Sequence, residues 1–163
     1  MAFFSIYSLK YFDQINDEQL EKFNVAILLT DILIAPEDIK ATYTIYDTDM
    51  SLEILKHPET ALATIPKDPY FESSTIINLI KSHHEKPDGS GYPHRLSCTR
   101  FDIFLCTHFI AEQLVFKLME KKINLNELPS IYKQIYDENR KFSTPNFNRV
   151  FDNFDKFFKG EKK

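Results

Sequence analysis

The sequence predicts an all-α fold, formed by one helical domain over residues 1–163. Three observations support this prediction. Glycine is scarce, with three residues in the whole chain. Leucine, isoleucine and phenylalanine recur at the spacing of amphipathic helices. No stretch shows the sustained alternation of apolar and polar residues that is typical of a strand. With 163 residues and 43% hydrophobic content, the chain is long enough to bury its own core.

Composition and charge limit the partners that we expect. The formal net charge is -4 and the pI is near 5.7, which gives no electrostatic reason to bind a nucleic-acid backbone. No apolar run approaches the roughly 18–20 residues that span a bilayer, and the N-terminal residues lack a basic region before an apolar one. Cys98 and Cys106 are too few for a disulfide framework. We therefore expect a cytoplasmic protein that binds neither nucleic acid nor membrane.

The first predicted helix begins at about Asn16, because Asn16 and Gln19 have the spacing of a capping box. Pro36 limits this helix at its other end. One stripe of the helix combines apolar residues with a single acid. Its members are Leu20, Phe23, Ile27, Asp31 and Ile34.

Two helices are predicted to meet at His57. The first is short, is capped by Asp47 and runs from about Thr48 to Lys56. The second begins at Pro58, because proline suits the first turn of a helix. The apolar residues of this second helix are Ala61, Leu62 and Ile65.

The next helix is capped by Ser73 or Ser74 and leads to a pair of histidines. His83 lies on its apolar face, and His84 lies about 100° further around the axis. Both side chains can therefore point inward. The other residues of the apolar face are Ile76, Leu79 and Ile80.

A long, largely buried helix is predicted from about Arg100 to Lys121. One of its stripes places His108 and Glu112 one turn apart among apolar residues. His108 either forms a hydrogen bond with Glu112 or acts as an extra metal ligand, and we favour the hydrogen bond. The complete stripe is Phe101, Leu105, His108, Glu112, Val115 and Met119.

Two further helices are predicted to complete the chain. The last begins near Pro145, which suits the first turn. Its face toward the core consists of Phe147, Val150, Phe151, Phe154 and Phe158.

Five nitrogen and oxygen donors face one interior in this arrangement: Asp31, His57, His83, His84 and Glu112. Such a set suits a transition-metal site, and adjacent histidines can serve two neighbouring ions. Alternatively, each histidine could be hydrogen-bonded in the core and each carboxylate could pair with a cation. We favour the metal site because unpaired carboxylates are costly to bury.

The stretch SHHEKPDGSGYPHRL, which begins at Ser82, contains two of the three glycines. Gly89 and Gly91 permit backbone angles that other residues avoid, so the chain can make a tight excursion after the histidine pair. An ordinary surface turn also fits the local sequence.

HHEKPDGSGYP resembles the HHExxDGxGYP motif of HD-GYP domains, which are bacterial metal-dependent phosphodiesterases that act on cyclic di-GMP. The resemblance covers about residues 20–158. The other similar segments are AILLTDI with the family's ALLHDIGK, LKHPETA with KxHPxxG, IAEQLVFKL with AVADVFDAL, and STPNFNRVF with FDPxVVxAF.

The resemblance implies site residues and a cofactor. It makes Asp31 a bridging metal ligand and Glu112 the substitute for an aspartate ligand. Imidazole ligands would come from His57, His83 and His84, and Asp31, His83 and His84 would be catalytic. In the family, iron or manganese ions polarise the phosphodiester and activate a water, which gives pGpG or GMP. The substrate loop would comprise Asp88, Gly89, Gly91, Tyr92, Pro93 and Arg95.

The chain also departs from the family pattern. Thr30 replaces the histidine of the HD pair, and a hydroxyl is a poor ligand for a transition metal. The following Gly-Lys is absent, and the family's preceding helix with metal ligands has no counterpart in the N-terminal residues. Arg95 replaces a glycine and Cys106 replaces an arginine.

These departures predict a degenerate HD-GYP-like domain, non-catalytic or weakly active, in which the iron or manganese site is partial or absent. It would bind cyclic di-GMP, a signalling protein such as a diguanylate cyclase, or both. The alternative is an active metal-dependent cyclic di-GMP phosphodiesterase. A third interpretation is a purely structural adaptor for a signalling protein.

Overall fold

The computed structural model describes Leu9, Phe12 and residues 15–34, 52–121 and 125–160. Within these residues the chain forms α-helices joined by turns and short 3-10 helices, and no strand is present. The predicted all-α fold is confirmed. None of the described helices is both long and apolar enough to cross a membrane.

The α-helices of the described chain have the following bounds: α1 Asp17–Leu29, α2 Leu52–Thr64, α3 Ser74–Ser82, α4 Ile103–Lys121, α5 Leu128–Asn139 and α6 Pro145–Lys159. The 3-10 helix Cys98–Arg100 precedes α4, and a second one, Leu125–Glu127, precedes α5. Helix α3 packs against α1, α2 and α4, while α4 also packs against α5 and α6.

Helix α1 begins at the predicted capping box and ends earlier than predicted. The Asn16 side chain accepts a hydrogen bond from the Gln19 amide at 2.8 Å, and the Gln19 side chain accepts one from the Asn16 amide at 3.1 Å. At the other end, the Thr30 hydroxyl donates to the Ile27 carbonyl at 2.9 Å. This side-chain bond competes with the backbone hydrogen bonds that would continue the helix. Asp31 therefore lies in the turn after the helix and not on a helical stripe.

Helix α2 is continuous, so the predicted junction at His57 is wrong. Pro58 lies inside the helix and has no N–H to donate to the Ile54 carbonyl. His57 Nδ1 lies 2.5 Å from that carbonyl oxygen and donates in its place. The histidine thus compensates for the bond that the proline removes. The predicted start of the shorter helix, Asp47 and Thr48, lies outside the described residues.

Helix α3 begins after Ser73, as predicted, and buries Ile76, Leu79 and Ile80. His83 follows its last residue as the C-terminal cap.

Helix α4 begins three residues later than predicted, at Ile103. The reason is that the Asp102 carboxylate accepts the Leu105 amide at 2.9 Å, which caps the helix there.

The predicted stripe of α4 is buried for most of its length. Phe101, which precedes the helix, is buried, as are Leu105, His108 and Glu112. Met119 is 74% exposed, so the stripe prediction is wrong at its C-terminal end.

The C-terminal helices are confirmed. Thr144 caps α6, where its hydroxyl accepts the Phe147 amide at 3.3 Å. Helix α6 ends at Lys159, and the residue that caps it, Gly160, has a positive φ of 67°. The predicted core residues Phe147, Val150, Phe151 and Phe154 are buried, and Phe158 packs against them.

Candidate metal centre

Four of the five predicted donors form one cluster: Asp31, His57, His83 and His84. Each contributes one ligand atom, and these atoms all lie within 4.8 Å of one another. The Asp31 Oδ1 atom lies 3.6 Å from His57 Nε2, 3.5 Å from His83 Nε2 and 3.8 Å from His84 Nε2. The three imidazoles are buried, and the Asp31 side chain is partly exposed although its Oδ1 atom, which faces the histidines, is buried.

Three helices bring these side chains together. Asp31 follows the C-terminal end of α1, the histidine pair follows the C-terminal end of α3, and His57 comes from the middle of α2. The C-terminal end of a helix has a partial negative charge, because its last carbonyl groups have no intrahelical partner. Two such ends at one cluster favour a cation there.

Two of the histidines have fixed tautomers. His57 Nδ1 lies 2.5 Å from the Ile54 carbonyl, and His83 Nδ1 lies 2.8 Å from the Ile80 carbonyl. A carbonyl oxygen only accepts, so both Nδ1 atoms are protonated. In neutral rings, the Nε2 atoms then have lone pairs that are available for a ligand. A ring N–H donated to a backbone carbonyl is the usual arrangement behind a metal-bound histidine.

The His57 and His83 Nε2 atoms lie 3.0 Å apart. Two lone pairs at this distance repel each other unless a positive charge lies near both. Burial lowers the pKa of His57 and holds the pKa of His84 well below its usual range. The His57 and His84 rings therefore resist protonation, and a metal ion bound to the Nε2 atoms would supply the positive charge that the close pair requires.

The spacing of the donor atoms fits a single first-row ion. With metal–ligand bonds of about 2.1 Å, neighbouring ligand atoms lie about 3.0 Å apart in an octahedron and about 3.4 Å apart in a tetrahedron. The Asp31–histidine distances of 3.5–3.8 Å and the 3.0 Å histidine contact approach these values. The cluster could therefore hold a metal ion after small side-chain shifts.

Glu112 lies outside this cluster, although it was predicted as a ligand. Burial, with a contribution from the Asp31 charge, raises its pKa to about 8, and Lys86 opposes the shift. Glu112 therefore keeps its proton at neutral pH without a metal. A protonated carboxyl group can donate a hydrogen bond, but it is a weaker metal ligand than a carboxylate.

His108 does not form the predicted hydrogen bond with Glu112. The side chain is 1% exposed, and neither ring nitrogen has a hydrogen-bond partner among the described residues. Its ring centroid lies 6.2 Å from that of His83, and the four-residue cluster does not include it. Burial lowers the pKa of His108 to about 3, so the ring is neutral.

The glycine-containing loop makes the predicted tight excursion, and it also folds back on the histidine pair, which was not predicted. Gly89 has a φ of +79°, where a side chain would add strain. A Cβ atom on Gly91 would lie 2.5 Å from the His84 carbonyl oxygen and even closer to the Lys86 amide nitrogen. Only glycine permits this approach. The Tyr92 amide then donates to the His84 carbonyl at 3.2 Å.

Tyr92 connects the loop to the cluster. Its ring stacks on His84, with centroids 4.7 Å apart and planes 19° apart. Its ring also makes an edge contact with His57, with centroids 6.3 Å apart. The Tyr92–Pro93 peptide bond is cis. The loop therefore positions one of the candidate ligands directly.

Glu85 holds the second half of the loop, a role that was not predicted. Its carboxylate is buried and accepts the His94 amide at 2.5 Å and the Leu96 amide at 2.7 Å. Arg95, between these two amides, has a positive φ of 53°. The position of Glu85 directly after the histidine pair was the available signal for this role. The sequence does not show that the backbone amides of His94 and Leu96 come back to the Glu85 carboxylate.

The remaining predicted loop residue, Asp88, lies at the base of the excursion. Its side chain is exposed and accepts hydrogen bonds from the Ser90 amide at 3.0 Å and the Ser90 hydroxyl at 2.6 Å. Its backbone pairs with Ser97 in an isolated antiparallel bridge. Asp88 therefore closes the loop, and it is not part of the four-residue cluster.

Comparison with known proteins gave no significant match to a protein-family model, a curated protein or a solved structure. The HD-GYP resemblance remains a prediction that rests on the quoted motifs.

Proposed function

We propose that this chain is a degenerate HD-GYP-like domain that binds one iron or manganese ion and acts in cyclic di-GMP signalling as a binding module. The observation that supports the proposal best is the cluster of three buried histidines around one carboxylate oxygen. Nitrogen and oxygen donors in this mixture suit iron and manganese. The cytoplasm is the compartment that we propose for it.

The donor set favours binding over efficient catalysis. Asp31 Oδ1 lies within 3.8 Å of all three histidine nitrogens, so the described donors converge on one position. Two-metal phosphodiester chemistry uses ions about 3.5–4 Å apart, each with its own ligands. Glu112, which the sequence added to the donor set, lies outside the cluster. A bound ion would supply a Lewis acid that attracts a phosphate oxygen of cyclic di-GMP.

The alternative of an active phosphodiesterase is supported by Glu112. A buried carboxyl with a pKa of about 8 keeps its proton at neutral pH, which is the property that a general acid requires. The Asp31 charge contributes to this shift, so the carboxyl interacts with the cluster across space. Glu112 would therefore supply a general acid for hydrolysis at a centre that holds one metal ion.

The test combines cyclic di-GMP titration with a turnover assay. We expect the manganese-loaded protein to bind cyclic di-GMP in calorimetry, and the metal-free protein to bind at least about tenfold more weakly. Turnover should stay far below the rate of about 1 per second that is ordinary for enzymes. Turnover near that rate, abolished by Glu112→Gln, would replace the binding module by the phosphodiesterase. Equal binding with and without metal would contradict the proposed site.

A further inference from the structure

A second concave site lies beside the loop and shares no residue with the metal cluster. The cavity has a volume of about 330 Å³. Lys81 from α3, His94 from the loop, Arg100 from the 3-10 helix and Asp102 before α4 contribute to its lining. Small-molecule sites have volumes of about 300–1,000 Å³. The cavity therefore lies within the range of a small ligand.

The charged residues that line the cavity are two cations, Lys81 and Arg100, and one acid, Asp102. Lys81 and Arg100 form no ion pair with any described residue, although the chain as a whole has a net charge of -4. Asp102 is the one acidic residue of the lining, and its Oδ1 atom accepts the Leu105 amide as a helix cap. Two cations against one acid leave the lining with a net positive charge, which favours an anion.

The walls of the cavity are held in place before any ligand binds. The buried Glu85 carboxylate accepts the backbone amides of His94 and Leu96, both of which line the cavity. The 3-10 helix fixes the backbone of Arg100, whose amide donates to the Ser97 carbonyl at 2.9 Å. Preorganised walls reduce the ordering cost of binding.

We propose that this cavity binds a small organic phosphomonoester through its phosphoryl group. A phosphomonoester has a charge of about -2 at neutral pH and three acceptor oxygens. The planar guanidinium of Arg100 can donate to two of these oxygens, and the Lys81 ammonium supplies a point charge. The volume leaves room for an organic group beyond the phosphoryl group.

Two features of the cavity oppose anion binding. Asp102 carries a full negative charge, and Lys81 lies in the last turn of α3, whose C-terminal end has a partial charge of about -0.5. The two positive charges of Lys81 and Arg100 exceed these opposing charges by about half a charge. The site is also independent of the proposed metal centre, because the two share no side chain.

The test is calorimetric titration of the metal-free protein with phenyl phosphate and, separately, inorganic phosphate. Metal-free protein keeps the anions from binding at the Asp31 cluster. We expect phenyl phosphate to bind, and Lys81→Ala and Arg100→Ala each to weaken binding about tenfold or more. Both residues are exposed, so the variants should fold. Lys67→Ala is the matched control, because Lys67 is exposed and lies outside the cavity.

Tighter binding of phenyl phosphate than of inorganic phosphate supports an organic monoester as the ligand. Equal binding of the two anions, lost in Lys81→Ala and Arg100→Ala, would overturn the organic part of the proposal and leave an inorganic phosphate site. Absence of binding at millimolar phenyl phosphate, or equal weakening by Lys67→Ala, would overturn the site itself.

Discussion

His57 has two functions that depend on the residue after it. Pro58 removes the amide that would bond the Ile54 carbonyl, and His57 Nδ1 occupies that carbonyl. This bond fixes the ring so that Nε2 faces His83 at 3.0 Å. A proline that weakens α2 is thus coupled to the orientation of a candidate metal ligand.

The variant Pro58→Ala tests this coupling. The new amide would compete with His57 for the Ile54 carbonyl and release the ring. We expect the free energy of unfolding of the metal-free protein to rise by up to about 3 kcal/mol, while metal affinity falls about 10- to 100-fold. Urea denaturation and metal titration measure the two effects.

Pro145→Ala provides the control for that variant. Pro145 occupies the first turn of α6, where the missing amide has no helical partner in any case. Both quantities should stay close to those of the wild type. Unchanged metal affinity in Pro58→Ala would show that the proline does not orient His57.

Glu112 predicts a specific dependence of stability on pH. Its pKa is about 8 in the folded protein, against an ordinary value of 4.5. A raised folded-state pKa gives stability that is complete below about pH 4.5 and is lost as the pH rises toward 8. For metal-free protein, we expect Glu112→Gln to gain up to about 5 kcal/mol over the wild type between these limits.

Urea denaturation at pH 5, 7 and 8.5 measures this difference. His108 has the opposite dependence, because its lowered pKa costs stability as the pH falls below 6.5. Its contribution is common to the wild type and Glu112→Gln, so it cancels in the comparison. A difference that stays constant across the three pH values would contradict the raised pKa of Glu112.

Among single residues, the candidate metal ligands of the cluster were predictable, whereas the hydrogen bonding of His108 was not. Asp31 and the three clustered histidines were named from the sequence, but Asp31 lies in the turn after α1 and the histidine pair follows the end of α3, so helical spacing alone did not place them. The predicted bond between His108 and Glu112 fails, since a separation of one turn brings two residues near each other without fixing their rotamers.

At the scale of elements, the loop between α3 and the 3-10 helix depends on one close backbone approach. Gly91→Ala would place a Cβ atom among the backbone atoms of residues 84–86, which cannot move aside as a flexible side chain does. We expect the loop to open, Tyr92 to leave His84, and the free energy of unfolding to fall by about 3 kcal/mol or more. Denaturation and metal titration test both effects.

Gly160→Ala is the matched control for the loop. Gly160 has a positive φ of 67°, and no atom lies within 4 Å of the position that an alanine methyl group would occupy there. The substitution should cost about 1 kcal/mol through backbone strain and leave metal affinity unchanged. If Gly91→Ala behaved like Gly160→Ala, the close approach of the loop would be disproved.

The starts of α1 and α6 were predictable, whereas the end of α1 and the start of α4 were not. Capping residues such as Asn16 and Thr144 act within three residues, so the local sequence contains the whole signal. The continuity of α2 through Pro58 depends on the rotamer of His57, which proline position alone does not indicate. The early end of α1 likewise depends on the Thr30 hydroxyl bond.

At the scale of the whole molecule, the ends of two helices and the middle of a third meet at one polar cluster. Helix α3 supplies the histidine pair and contacts α1, α2 and α4, so the core and the candidate site are built on the same element. The all-α class was predictable from apolar periodicity. The convergence on a single cluster was only partly predictable, because Glu112 lies outside the cluster although its spacing along α4 suggested that it faces the same interior.

The metal content of purified protein tests the central claim most directly. Elemental analysis after manganese or anaerobic iron loading should find about one ion per chain in the wild type. His83→Ala should lose it, and His94→Ala should keep it, because His94 is exposed and lies outside the cluster. Circular dichroism would check that both variants fold. No metal in the wild type, or equal content in folded His83→Ala, would contradict the account.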